Sequence, residues 1–148
     1  MNDNNWLKEF PTRRLHAYDG MAVTAQAWQE AHDYHEKRQR LHDLLSHGSG
    51  IVQGLGVIAS DPPDSSVYVL PGMAIDSLGR PIIVEQPVSF DIGASATGLL
   101  HLLLTYDEGV AHEENSTESS PAYVQSGYGI EVQTAYPERP PRALARIQ

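Results

Sequence analysis

The sequence contains no cysteine. No structural disulfide can form, and the redox compartment leaves no trace in the chain. Basic residues are scarce: 10 Lys and Arg stand against 19 Asp and Glu, a formal charge of −9. Such a surface repels phosphate backbones. The one basic cluster, Lys37-Arg-Gln-Arg40, is ringed by Glu30, Asp33, Glu36 and Asp43. It reads as a solvated helix face with local ion pairs, and nucleic-acid binding is not expected. No apolar run approaches the roughly 18 residues that span a bilayer, so membrane insertion is not expected. The opening Met1-Asn-Asp-Asn-Asn-Trp6 lacks a basic stretch followed by an apolar one. No signal peptide is expected, and synthesis in the cytoplasm is the default. The 148 residues suffice for a single structural unit with its own core.

Catalytic patterns are equally scarce. There is no Gly-x-Ser-x-Gly elbow, and Ser46-His47 is mere adjacency. Gly48-Ser-Gly50 and Gly54-Leu-Gly56 follow a helix, whereas phosphate-binding glycines precede one. His32 and His35 are three residues apart and share a helical face, but His-Glu-x-x-His is absent and a third ligand is not evident. The expectation is a chain without catalytic residues, cofactor or metal. The histidines then serve as semi-buried hydrogen-bonding groups. Asp76 and Arg80 flank a Gly79 turn and are expected to pair as a structural element.

What is present is architectural. Residues 1–23 are expected to form an arm anchored by Trp6, Leu7 and Phe10, docked either on its own domain or on a neighbouring subunit. Thr24 is a good N-cap, with Val23 and Trp28 placed for a hydrophobic staple. Ala25 to Ser46 holds no Gly or Pro, and Gly48 suits the left-handed C-terminal position. A helix over 24–47 follows. Its narrow stripe is Ala27, Ala31, Tyr34, Leu41 and Leu45, interrupted by Arg38, a pattern that packs on one surface and leaves the rest wet.

From residue 48 onward the pattern is β. Gly54 and Gly56 inside an apolar run imply a bulge or close backbone approach. Strands are expected at 67–70, 73–75, 81–84 and 88–92, with a bend at Pro71-Gly72 and a reversal at Asp76-Ser-Leu-Gly79. Leu99 to Tyr106 reads as a buried strand enclosing His101. Residues 107–122 are acidic and aperiodic, which predicts a mobile loop. Strands at 123–135 and near 143–147 complete an α+β, mainly β fold: a helix followed by an antiparallel sheet or small sandwich or barrel.

Three motifs carry a resemblance. Tyr18-Asp-Gly-Met-Ala-Val-Thr-Ala-Gln-Ala-Trp28 leads into a helix with Tyr34-His35 and Arg40-Leu41-His42. His47-Gly-Ser-Gly-Ile-Val-Gln-Gly-Leu55 and Pro71-Gly-Met-Ala-Ile-Asp-Ser-Leu-Gly-Arg80 follow. Over residues 18–92 the chain resembles small proteins associated with phage-tail and contractile-injection baseplates and tail fibres. The resemblance implies a structural or adaptor protein of a phage-tail-like particle, carried in a virion or extracellular particle. Its implied partners are its own copies, as a trimer or ring, and other tail or baseplate proteins. In that reading Trp6, Phe10, Trp28, Tyr34, Leu41 and Leu45 make subunit contacts. Gly48, Gly50, Gly54, Pro71, Gly72 and Gly79 shape the turns, and Val at Gly48 or Gly54 should abolish folding or assembly. Two rivals stand beside it. One is a carbohydrate- or surface-binding module using Tyr123, Tyr128 and Tyr136. The other is a metal enzyme built on His32, His35 and a carboxylate.

Overall fold

A computed structural model describes Lys8 and residues 10–94, 96–111, 123–134 and 144–146. Trp6, Tyr136, the Pro137–Pro141 connector and residues 112–122 of the expected acidic loop lie outside these described residues. Among them, the chain runs from one long helix, α1 (Ala25–His47), into nine strands. These are β1 (Gly50–Gly54), β2 (Val57–Ala59), β3 (Ser66–Val69), β4 (Gly72–Ile75), β5 (Pro81–Val84), β6 (Val88–Asp91), β7 (His101–Ala111), β8 (Tyr123–Gln133) and β9 (Leu144–Arg146).

The helix begins and ends where the sequence places its signals. Thr24 is extended, and its hydroxyl accepts from the Ala27 amide at 3.1 Å. Gly48 takes φ 72 and donates its amide to the Leu44 carbonyl at 3.0 Å, closing the last turn. No helical residue is fully buried. The solvated faces are laced by pairs four residues apart: Gln26 to Glu30 at 3.1 Å, Gln29 to Asp33 at 2.7 Å, Gln39 to Asp43 at 2.8 Å, and Arg40 to Glu36. Each contributes about 0.2–0.5 kcal/mol, enough together to support a helix with little tertiary burial. The expected staple adds little, since Val23 and Trp28 are 68% and 62% exposed.

Two three-stranded antiparallel sheets meet at one corner. The first sheet has the order β1-β4-β5 and the second β2-β3-β6. β1 continues into β2 through Gly54-Leu-Gly56, while β3 continues into β4 through Leu70-Pro71. The ladder does not stop at the bend. Gly54 faces Gly72, Leu55 donates to the Pro71 carbonyl at 3.2 Å, Leu70 donates to Gly56 at 2.8 Å, and Val57 faces Val69. One bent three-stranded ribbon therefore supplies both sheets, as in packings where strands switch sheets at corners. Leu55 holds φ 58, a left-handed conformation that costs a non-glycine residue about 1–2 kcal/mol. Its side chain is only 3% exposed, and burying a leucine returns about 1.5–3 kcal/mol. The strained corner persists because its side chain enters the core.

Alternation sets which face is inside. Val67 and Val69 of β3, and Ile82 and Val84 of β5, are buried, while Tyr68 and Ile83 point outward. Pro81 stands first in β5, an edge strand, where its missing amide breaks no ladder bond. The third sheet, β8-β7-β9, closes this core through Leu104, with Tyr106, Tyr128 and Ile130 packed at the rim. Leu102, Leu103 and Leu104 are buried in succession, as expected of a strand covered on both faces.

The boundary of β7 differs from the sequence expectation. Residues 107–111 are strand, not loop, paired in register from Asp107 opposite Gly127 to Ala111 opposite Tyr123. Among the described residues, β9 flanks only His101 to Leu103, and the outer half of the β7–β8 hairpin is a two-stranded ribbon. Backbone pairing defines it, and the Tyr106 hydroxyl ties Glu108 and Ser126 at its base. Its polar side chains face water, so no burial period marks it in the sequence.

The β2–β3 loop is tied by Asp64. Its carboxylate accepts from the Ser60 hydroxyl and the Ser66 amide, each at 2.6 Å, and the Asp64 amide donates to Ser60 Oγ at 2.9 Å. These bonds, the Ser60 hydroxyl foremost, hold the carboxyl below its ordinary value of 3.8. A carboxylate favoured in the folded state stabilises above its unfolded value, and that contribution is lost as pH falls through the folded value. A carboxyl-detected NMR titration should place the Asp64 midpoint below 3.8, and Ser60→Ala should move it upward. A midpoint unchanged by Ser60→Ala would contradict this account.

Candidate assembly surface

The helix meets the β-structure at the tip of the β4–β5 hairpin. Gly79 sits at the tip of the β4–β5 hairpin with φ +76, and a Cβ built there would lie 2.1 Å from the Arg40 carbonyl oxygen. Only glycine allows this approach. The hairpin tip, Leu41 and Leu44 of α1, and Phe10 and Pro11 of the arm enclose a groove of about 580 Å³. The arm thus lies along its own helix. Phe10 lies beneath the Arg38 guanidinium at 5.3 Å, and Arg13 reaches Glu30 at 3.5 Å. Trp6 and Leu7, the other two expected anchors, lie outside the described residues.

This docking fixes the helix phase. Ala27, Ala31, Tyr34 and Leu41 are half-buried, as is Leu44, whereas Leu45 is 58% exposed. The inward stripe ends at Leu44, one position earlier than the sequence spacing suggested. Two large apolar side chains are left uncovered on α1: Trp28 and Leu45. Trp28 leans on the His32 ring at 5.2 Å, and His32 Nδ1 lies 2.9 Å from the Trp28 carbonyl oxygen. Beyond Gly48, Ile51 and Val52 of β1 are exposed as well.

The hairpin tip is itself rigid. Asp76 is wholly buried, and its Oδ1 accepts from the Leu78 amide at 2.9 Å and the Arg80 amide at 2.8 Å. Oδ2 takes Arg80 Nε and the guanidinium NH2 group, each at 2.7 Å. The same guanidinium lies 4.3 Å over the Tyr106 ring, whose hydroxyl donates to Glu108 and meets Ser126, both at 3.0 Å. The expected Asp76–Arg80 pair is present, and Tyr106 couples it to the third sheet. That coupling was hidden from sequence reading because 26 positions separate the partners (Arg80 and Tyr106).

The glycines divide into two kinds. Gly54 has φ +68, and its Cβ would meet the Pro71 oxygen at 2.2 Å; that of Gly72 would meet Gln53 oxygen and Leu55 nitrogen, each at 2.4 Å. Gly48 and Gly50 also have positive φ but open space around them. Gly54 and Gly72, like Gly79, hold backbones in close approach, whereas Gly48 and Gly50 do not.

The candidate chemistry resolves similarly. His32 is engaged with Trp28, and His35 meets Tyr34 edge-on at 5.2 Å. A different set converges at the end of α1: ligand atoms of His42, Asp43 and His47 lie within 4.8 Å of one another. Asp43 and His47, four apart on one face, are a pair distinct from the expected His32 and His35. Among the described residues, Tyr123 and Tyr128 do not share a face. Tyr128 packs on the core, while Tyr123, on the opposite face of an unbroken β8, is 53% exposed.

The architecture is thus an α+β, strand-dominated fold with a solvent-exposed helix braced on one hairpin. No family model matches the chain, and no curated protein matches it. Among solved structures it is similar to TssK, with a TM-score of 0.53 and 14% identity over 85% of this chain and 36% of that one. A second similarity, at TM-score 0.47 and 16% identity, covers 91% of this chain and 53% of a chain in the baseplate complex from the type VI secretion system. The chain therefore spans about a third of the TssK chain it matches, and the likeness is one of fold. Among the described residues, no helix is long and apolar enough to cross a membrane.

Proposed function

We propose that this protein is a non-enzymatic assembly component of a phage-tail-like particle, a baseplate, fibre or connector subunit that works by packing against its neighbours. The observation that carries the reading is α1, a 23-residue helix with no buried residue, braced at one end and exposing Trp28 and Leu45. Exposed aromatic anchors on a rigid element are typical of interface hot spots. The fold shared with TssK supports the same direction, as do the baseplate-type motifs around Gly48 and Pro71. The arm, helix and strands act as one unit in this reading, with Tyr34 and Leu41 serving mainly to hold the helix in place. The partners are further copies of the chain, in a closed ring or trimer, and other particle proteins.

Native mass spectrometry of the purified protein tests it. The wild type is expected as a discrete oligomer. Trp28→Ala with Leu45→Ser should weaken association by about 30-fold or more, the loss of a hot spot worth about 2 kcal/mol. The thermal midpoint of the dissociated subunit should change little, because both residues are exposed. An unchanged oligomer in the variant, or a wild type that stays monomeric at all concentrations, would overturn self-assembly through this surface.

A further inference from the structure

We propose that His42, Asp43 and His47 form a binding site for a borderline first-row divalent metal ion, Zn²⁺ foremost, at the C-terminal end of α1. Two imidazoles and one carboxylate are a donor set suited to such ions and poorly suited to Mg²⁺ or Ca²⁺, which take oxygen ligands. Asp43 and His47 are four residues apart, so both project from one helical face. His42 reaches the same point from the adjacent face: the two imidazole rings are 6.1 Å apart and nearly perpendicular, at 80°. All three ligand atoms lie within 4.8 Å of one another. A tetrahedral site with bonds of about 2.0–2.2 Å brings ligand atoms to about 3.4 Å. The two imidazoles are exposed and free of the core, so side-chain rotation is the route by which that difference closes.

Two further features favour the site. Gln39 donates to Asp43 Oδ1 at 2.8 Å, which orients the carboxylate and leaves Oδ2 for a metal. Such outer bonds commonly set ligand geometry and contribute about 10–100-fold to affinity. The three ligands also lie in the last turns of α1, where the helix dipole favours a cation. Three protein ligands leave a fourth position for water. A bound ion would clamp the last turn just before Gly48-Ser-Gly50, where the helix joins β1. The proposal stands apart from the assembly reading and would survive its failure.

The test is calorimetric titration of the chelator-stripped full chain with Zn²⁺ alone, alongside imidazole NMR. One ion per chain is expected, with ring signals of His42 and His47 shifted and those of His32 and His35 left in place. His42→Ala with His47→Ala should abolish stoichiometric binding while circular dichroism stays that of the wild type. Gln39→Ala should weaken binding by about tenfold. Acid should weaken binding, because imidazole ligands must be deprotonated. Absence of 1:1 binding, binding that persists in the double variant, or binding lost in His32→Ala with His35→Ala would overturn the assignment.

Discussion

Gly72→Ala should cost the protein about 3 kcal/mol or more, at the upper end of what overpacking does. The added methyl would sit 2.4 Å from both Gln53 oxygen and Leu55 nitrogen and 2.8 Å from the Gly54 carbonyl carbon. All three are backbone atoms of the facing strand, so no side-chain rotation relieves the contact. The ribbon would have to open at the point where Leu55 donates to Pro71, and Leu55 would be drawn out of the core. Gly72 has no positive φ to complicate the reading, so the effect isolates close approach from backbone strain. Gly54→Val adds both penalties and should yield little folded protein. Gly48→Ala is the contrast. Its φ of 72 disfavours a side chain, yet the added atom meets nothing within 4 Å. A loss of about 1–2 kcal/mol is expected there, and folding should survive. Urea denaturation of the three variants checks the order. Equal losses at Gly48 and Gly72 would show that the corner is not the tight point of the fold.

That contrast also marks the reach of the sequence. Local signals were readable because their causes are local. Thr24 and Gly48 bounded the helix to within a residue, and Pro71-Gly72 and Asp76 to Gly79 announced the bend and the hairpin. Close approach near Gly54 was legible as a glycine within a strand, but the facing atoms of Pro71 lie across the corner. Gly48 and Gly54 therefore looked equivalent when only one is confined. The helix phase turned on a distant contact as well. Arg40 against Gly79 faces Leu44 inward and leaves Leu45 to solvent, a choice that spacing within the helix does not make. The outer hairpin was missed for another reason. Residues 107–111 are held by ladder bonds to β8, and exposed polar side chains carry no sign of such bonds. At the surface, the spacing of Val23 and Trp28 suits a staple that their exposure does not bear out, and the meeting of His42, Asp43 and His47 depends on rotamers that no spacing rule specifies.

Asp76→Ala should cost about 3–5 kcal/mol, the range for breaking a buried ion pair from one side. The carboxylate is completely inaccessible and satisfies four donors: two amides and two guanidinium nitrogens. Removal leaves the Leu78 and Arg80 amides without that acceptor and the Arg80 charge without its carboxylate. Arg80 is only partly exposed, with its side chain at 21%, so water compensates incompletely. The stack on Tyr106 at 4.3 Å cannot stand in, since a cation–π contact is worth about 0.5–2 kcal/mol. Arg80→Ala should be costly for the reciprocal reason, because it strands a buried carboxylate. The double variant, Asp76→Ala with Arg80→Ala, should lose less than the sum of the two, because neither charge remains alone. Damage should spread beyond the turn. The Gly79 tip that receives Arg40 is shaped by these bonds, so α1 should lose its brace and its amides should exchange faster with solvent. Hydrogen exchange on Asp76→Ala tests that link between charge and helix. Wild-type protection across Leu41 to His47 in a folded variant would show that the helix is held without the buried pair, and the assembly surface would then rest on the β1 junction alone.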